Sequence, residues 1–514
     1  MRPVPGRIAR CWAEARRATS DVGPLVGFRA AAVRGRARRI VGVALVVVGA
    51  ISVLAATVPA FLPPLDPTPT DVLILLPSFS VGVLVIAIVS ATASGGGREL
   101  IPRDQAVAYP ISPTTDHLGA LLMAPLNIAW LLQAWALLGA TAYGVGPHWG
   151  LALAQLLELL WLVCATALAQ VLAWALEWVR RGPHGVLVVR LTALAGVALL
   201  AWLVASHRLS HLLDRSPTLR ITIGVVESAR GHVLPWLRVV VELLVLCLLA
   251  LAAGAFVAAR VARRPAREEL RQESAPRTPR PNPASDLMAL LRTDRVAIWR
   301  SVPLRRGLIV LAMLPGLVAL AGSLQWSVLC ILPGLVASGG ALLFGVNSWC
   351  LDGRGALWRD ALPVHPRLAF ATRVLALVEV LALATATTLV MASLRAGLPT
   401  PGQLIGVLCS AAVVILQVVA TSLRWSVTNP FPVDLRSARA TPAPPLVMVG
   451  YSAKLALTTT VTGMLFGVSG SAPWPVSVLL ALPFLAYSGY RLSSTSRRWA
   501  TPAVRARVVA TVAS

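Results

Sequence analysis

The sequence predicts an all-α polytopic membrane protein of about twelve transmembrane helices. They form two tandem six-helix halves, each preceded by an amphipathic interfacial helix. Three observations carry this. Of 514 residues, 57% are hydrophobic and 13% charged, with mean hydropathy +0.75, whereas soluble domains run near 25% charged. Apolar runs long enough to cross a hydrocarbon core of about 30 Å recur twelve times. The basic residues avoid those runs and gather in alternate connections, which is how a multi-span chain sets its orientation.

The elements follow in order. Residues 1–39 precede the first span, and Arg38-Arg39 lack the rest of a twin-arginine pattern, so this is not read as a cleavable signal. The stretch 7–39 is basic and broken by Gly23 and Pro24. It reads as an interfacial helix or pair of helices with Ile8, Trp12, Leu25 and Phe28 toward lipid, or as a disordered basic tail. The first half, 40–259, has spans expected at 40–61, 72–93, 118–143, 150–178, 186–205 and 236–259. The segment 260–306 holds a charged, proline-rich linker, 260–285, then 286–306. In the latter, Leu287, Leu290, Leu291, Val296 and Trp299 fall roughly on one helical face with arginines opposite. The second half, 307–491, has spans expected at 307–324, 327–348, 368–394, 402–423, 446–468 and 474–491, and 492–514 is a basic tail.

With both ends cytoplasmic, the inside loops hold about 36 of the 46 basic residues and the outside loops about five. An odd number of spans would scramble that asymmetry. The expected location is therefore the plasma (inner) membrane, multi-pass, with N- and C-termini cytoplasmic. Net charge is +25, but nucleic-acid binding needs a basic face on a folded module with stacking aromatics, and here the arginines lie between spans. No nucleic-acid partner is expected; membrane lipid is.

Enzyme constellations are missing. There is no HExxH, GxSxG or paired-carboxylate arrangement, and the six cysteines include no CxxC pair, so they read as small buried hydrophobes. His207 and His211 stand at i, i+4 before Asp214, which is short of a closed zinc site, and no metal is expected. A P-loop needs GxxxxGK[ST]; the only lysine, Lys454, lies in an apolar run. No ATPase site is read in this chain, which is not expected to be an enzyme.

Two inside loops match. Between the second and third spans stand Gly97-Arg98-Glu99-Leu100-Ile101-Pro102-Arg103-Asp104, then Ala108-Tyr109-Pro110-Ile111-Ser112-Pro113. Between the eighth and ninth stand Asp352-Gly353-Arg354-Gly355, then Arg359-Asp360-Ala361-Leu362-Pro363-Val364-His365-Pro366. Both carry Arg-Asp followed by Ala-x-Pro-x-x-Pro at equivalent places. Such loops suit docking of a cytoplasmic partner: proline stiffens the backbone, and exposed Arg and Asp supply electrostatic register.

On these residues, and on 347–366 with its L-P-V-x-P-R form at 362–367, the chain resembles permeases of type-2 ATP-binding-cassette exporters, with the two six-span halves fused. The resemblance implies a transmembrane permease that binds no cofactor itself and meets ATP through partner subunits. Two ATP-binding-cassette ATPase subunits would dock at the coupling loops. The implied docking residues are Arg98, Glu99, Asp104, Tyr109, Pro110, Ser112 and Pro113 in the first loop. In the second they are Asp352, Arg354, Arg359, Asp360, Pro363, His365 and Pro366. The substrate class is an unknown small molecule or lipid-like compound. The first copy has Thr114 where arginine would stand, and the outside connection 206–235 has no counterpart in the second half, where only 469–473 lies.

Burying a charge in hydrocarbon costs roughly 2.5–3.5 kcal/mol on insertion scales, so Glu158, Glu379 and Lys454 are candidate pathway residues, with Glu379 and Lys454 candidates to pair. Arg238 and Glu242, at i, i+4, are expected to satisfy each other. Asn127, Gln133 and Gln417 read as interhelical hydrogen-bonders. A second reading is a self-sufficient twelve-span secondary transporter of the major-facilitator kind, which shares the span count and long central loop; an integral membrane enzyme is a third.

Overall fold

The computed structural model describes residues 16–25, 27, 36–64, 67–93, 111–126, 128–206, 208, 212–213, 215–264, 281, 283–321, 324–432, 443 and 445–513. Every regular element among them is a helix. The chain is a multi-pass membrane protein: among the described residues, seven helices are long and apolar enough to cross a membrane, or up to eight if the bent pair Asp286–Arg300 and Leu304–Leu320 is one span. Large apolar side chains stand uncovered along them, Leu234 at 81% and Leu479 at 66% exposure, as hydrocarbon solvation permits and water does not.

The helices fall where the apolar runs place them, but several are interrupted. The expected run 118–143 divides into Pro113–Leu122, a turn at Ala124–Leu126 and Ile128–Val145; Pro125 removes a donor there. The run 327–348 divides into Trp326–Leu329 and Leu332–Leu343. The helix Trp474–Ala500 outruns its expected end, and the basic tail is helical too, Pro502–Ala513. Residues 16–25 are helical with Leu25 half-buried, while Ile8, Trp12 and Phe28 lie outside the described residues.

Two compact units divide the chain, Met1–Ala275 and Pro276–Ser514. In the first, helix Leu151–Arg180 is the axis, packed by Pro69–Ala93, Leu219–Ala229 and Val233–Ala262. Leu76, Leu137, Leu157, Leu162 and Ala165 are buried around it. Polar side chains tie the helices at carbonyls: Gln155 Nε2 donates to Ala56 and Leu138, each at 2.9 Å, and Trp161 Nε1 donates to Ser80 at 3.2 Å. Without water, such bonds have few competitors. Gly254 lets two helices close on a histidine, since a Cβ there would lie 2.3 Å from His117 Cε1. At the arginine-rich end, Arg181 donates to the carbonyls of Val261 and Arg264, each at 3.1 Å, and Arg264 to that of Trp178 at 2.7 Å. Carbonyls left over at two helix C-termini are thereby capped by cations.

In the second unit, Val302–Ala321 packs on Pro366–Ser393, Pro401–Thr428 on Trp474–Ala500, and Leu332–Leu343 on Pro445–Ser469. Phe344, Leu377, Leu381, Val414 and Val418 form its core. Helix Asp286–Arg300, capped by Ser285, bends 82° from the helix after it. Its inward face is Leu290, Leu291, Asp294 and Ile298, while Val296 and Trp299 are exposed. The single apolar stripe expected from the sequence is therefore split between two sides.

Candidate functional site

The site is built between Leu332–Leu343 and Pro366–Ser393 in the second unit. The first of these helices ends at Phe344, and the chain continues through a tight turn of helix, Gly345–Leu351, in which Asn347 is not helical. Polar contacts pin this turn to Pro401–Thr428 and the residues after it. Ser348 N–H donates to Ser426 Oγ at 2.8 Å, and Asn347 Nδ2 to the Phe431 carbonyl at 2.7 Å. At Gly353 φ is +49°, a left-handed conformation that glycine adopts without steric cost. It reverses the chain into the short helix Ala356–Asp360. The chain then turns at Pro363 and re-enters a long helix with Pro366 at its first turn. His365 Nδ1 accepts from Arg367 N–H at 3.2 Å there, the cap the first turn requires.

Beneath this loop lies a cluster of two carboxylates and two guanidinium groups, all nearly or wholly buried. Arg359 is bound to Asp294 through both Nη atoms and to Asp352 Oδ1 at 3.0 Å. Arg373 Nη2 reaches both Asp352 oxygens at 2.7 Å and Asp294 Oδ1 at 3.1 Å, and its Nη1 donates to the Ser348 carbonyl at 3.0 Å. The four side chains belong to four pieces of chain: the interfacial helix, the turn, the short helix and the long helix after it. Their charges sum to zero, so the group is tolerable inside protein, and its geometry fixes all four pieces together. Trp349 adds a lid, stacked on Trp499 at 3.8 Å between ring centres and 4° between planes, with Arg373 over its face at 5.1 Å.

Burial pushes the Asp352 carboxyl up, but Arg373 and Arg359 overcome that and hold it below the usual carboxylate range. Burial pushes Arg359 down, and its bonds to Asp294 and the charge of Asp352 more than reverse it. A depressed carboxylate contributes stability that is present above its unfolded pKa, near 4, and is lost as pH falls through the folded value. The unfolding temperature of wild type should therefore fall steeply on acidification below about pH 4. Asp352→Asn should be less stable at pH 7 and lose part of that acid dependence. Parallel acid limbs for the two proteins would remove the cluster from the explanation.

The sequence candidates divide. Asp352 and Arg359 are in the cluster, not exposed for a partner as expected, because each has a buried counter-charge. Asp360 faces outward and pairs with Arg505 of helix Pro502–Ala513 at 2.7 Å. Arg354 stands in the turn Gly353–Gly355, and Pro363 and His365 are exposed. In the first loop Ser112 caps helix Pro113–Leu122, accepting from Thr115 N–H at 3.0 Å, with Pro113 at its first position. Arg98, Glu99, Asp104, Tyr109 and Pro110 lie outside the described residues, as do Asn127, His207, His211 and Asp214.

Of the intramembrane candidates, Glu158 is fully buried on Leu151–Arg180 with no hydrogen-bond partner for either carboxyl oxygen among the described residues. The Glu379–Lys454 pair is not formed. Glu379 takes two hydrogen bonds from Arg295 of the interfacial helix, at 2.8 and 2.5 Å, and Lys454 is exposed. Arg295 reaches Glu379 with both arms of its fork, a geometry lysine lacks. Arg238 does pair with Glu242, at 3.2 Å, and Arg220 joins them. Gln417 Oε1 accepts from Thr462 at 3.4 Å across helices.

Three residues of the cluster's surroundings went unread in the sequence: Asp294, Arg373 and Trp499. Arg373 carried a signal, since an arginine two turns inside an apolar run needs an acidic partner. Besides Asp360, Pro363 and His365, the loop presents two large apolar side chains outward: Leu357 and Trp358, 59% and 65% exposed, side by side on the short helix. Behind it, a narrow cleft of about 50 Å³ runs between the loop and Pro502–Ala513, walled by Leu290, Trp349, Val364, Val508 and Val512. No family model, curated protein or solved structure matches this chain.

Proposed function

We propose that this chain is the transmembrane permease of an ATP-driven exporter, turned from the cytosol by separate ATP-binding-cassette ATPase subunits. The observation that carries the reading is the short helix Ala356–Asp360. It offers Leu357 and Trp358 to solvent while its own Arg359 is locked into the buried charge cluster. A paired aromatic and aliphatic knob is what a protein interface uses as an anchor. A knob on a rigid mount transmits force, because the same cluster grips the interfacial helix and helix Pro366–Ser393. In this reading the chain has twelve spans as two fused six-helix halves, both termini cytoplasmic. The first loop, 94–117, docks a second ATPase subunit, and Arg98, Glu99, Asp104, Tyr109 and Pro110 do there what the second loop's residues do. Export follows from the resemblance in loop sequence, and the substrate is a small molecule or lipid-like compound.

One observation favours the runner-up, a self-sufficient secondary transporter: Glu158 is buried with no hydrogen-bond partner among the described residues, and such carboxyl groups serve as proton-relay sites in pumps and transporters. The two readings separate on purification from the native membrane in mild detergent. The exporter reading expects a stoichiometric polypeptide with a P-loop, and ATP hydrolysis by the complex that is lost with that subunit. Solute accumulation driven by a proton gradient in vesicles holding this chain alone would overturn it.

A further inference from the structure

Helices Pro401–Thr428 and Trp474–Ala500 pack along each other in the second unit and leave a pocket of about 140 Å³. Its lining is Gln417, Ala420, Phe484, Tyr487, Ser488 and Arg491. Arg491 stands seventeen residues along its helix from Trp474 and Gln417 sixteen from Pro401. At 1.5 Å per residue that is roughly 25 Å, close to the far boundary of a hydrocarbon core of about 30 Å. Tyr487 and Tyr490 are exposed at the same level, where tyrosine places its ring in hydrocarbon and its hydroxyl at the headgroups. Beyond the pocket come Arg497, Arg498, Arg505 and Arg507, so this is the arginine-rich face of the unit.

Arg491 has no carboxylate partner among the described residues. Its Nη1 donates to Thr421 Oγ1 at 3.4 Å, its guanidinium lies 5.7 Å from the Tyr487 ring centre, and its buried Nε donates to nothing. The acidic groups of the unit that form ion pairs do so elsewhere: Asp294 and Asp352 with Arg359 and Arg373, Asp360 with Arg505, Glu379 with Arg295. An arginine at the edge of hydrocarbon without a counter-charge is costly unless an anion reaches it. The Ser488 hydroxyl and the Gln417 amide stand in the same wall, so the pocket combines one cation with neutral hydrogen-bonding groups.

We propose that this pocket binds a phosphate ester, held by the fork of Arg491 and oriented by Gln417 and Ser488. The phosphate is that of an anionic lipid headgroup or of a soluble phosphate ester. The site is independent of any ATPase partner, so it stands or falls apart from the exporter reading.

The test uses the full chain in phosphatidylcholine nanodiscs. Its unfolding temperature is measured as phosphatidylglycerol replaces part of the lipid, and separately as glycerol phosphate is added to the buffer. Each variant is compared with its own value in phosphatidylcholine alone, so lower stability is not mistaken for lost binding. Wild type should be stabilised. Arg491→Gln should need about tenfold more ligand or greater for the same shift, the loss of a charge-assisted hydrogen bond. Arg497→Gln, on an exposed arginine further along, should behave as wild type. Tyr487→Leu, which leaves the arginine but removes the ring against it, should weaken the response even if Arg491→Gln does not fold. A response to phosphatidylglycerol alone identifies a headgroup site, and one to glycerol phosphate a soluble ligand. No stabilisation of wild type, or equal responses from wild type and whichever of the Arg491 and Tyr487 variants folds, overturns the proposal.

Discussion

Arg373→Met should lower the stability of the unit Pro276–Ser514 by about 3–5 kcal/mol, the cost of removing one partner from a buried charge group. Arg373 is fully buried, and so is Asp294; Asp352 is nearly so. Deleting the guanidinium leaves two carboxylates facing one remaining cation, Arg359. It also strips the Ser348 carbonyl of its donor. The loss comes from stranded charge rather than from the missing attraction, and this makes a sharp contrast possible. Arg373→Met combined with Asp352→Leu removes one charge of each sign and leaves Arg359 bound to Asp294 through both Nη atoms. That double variant should recover most of the stability, because a buried pair replaced by apolar groups is close to neutral. Additive losses in denaturant unfolding would show that the cluster is not electrostatically coupled. Arg295→Met is the control. Its pair with Glu379 is 48% and 40% exposed, so its removal should cost no more than about 1 kcal/mol.

The helices were legible because their signal is local. The apolar run expected at 402–423 gives the start of Pro401–Thr428 to within one residue, where Thr400 with Gln403 forms a reciprocal cap, while the helix runs five residues past the expected end. The buried cluster was not legible, since its members lie at 294, 352, 359 and 373 and only tertiary folding brings them together. Asp294 on an amphipathic helix looks like a solvated charge, and nothing local distinguishes it from Asp286. The same limit misplaced Glu379: Lys454 was its expected partner, and packing of helix Asp286–Arg300 on Pro366–Ser393 gives it Arg295 instead. Helix Pro502–Ala513 hides behind its charge. Val508 and Val512 stand four apart on one buried face, yet its arginines make it read as a tail. In the second of the matching loops Asp352 and Arg359 turn inward to the cluster, while Asp360, Pro363 and His365 stay exposed beside Leu357 and Trp358.

Trp358→Ala should weaken capture of an ATPase subunit about 30-fold or more, while leaving the unfolding temperature of the isolated chain within a degree or two of wild type. The first half follows from the anchor role: truncating an interface tryptophan typically costs 2 kcal/mol or more, which converts to that factor. The second follows from exposure. Trp358 is 65% uncovered and no hydrogen bond or ring contact ties its side chain to the rest of the unit among the described residues, so little of the fold depends on it. Stability and binding thus come apart at neighbouring positions. Arg359, one residue on, should damage both when replaced, because it holds the short helix to the cluster. A variant set of Leu357→Ala, Trp358→Ala and Arg359→Met, read by unfolding temperature and by co-purified ATPase activity, separates a docking knob from a structural one. If Trp358→Ala retains the full complement of ATPase, or if it unfolds as readily as Arg359→Met, the loop is only a connection between two spans. The engine must then attach elsewhere or be absent.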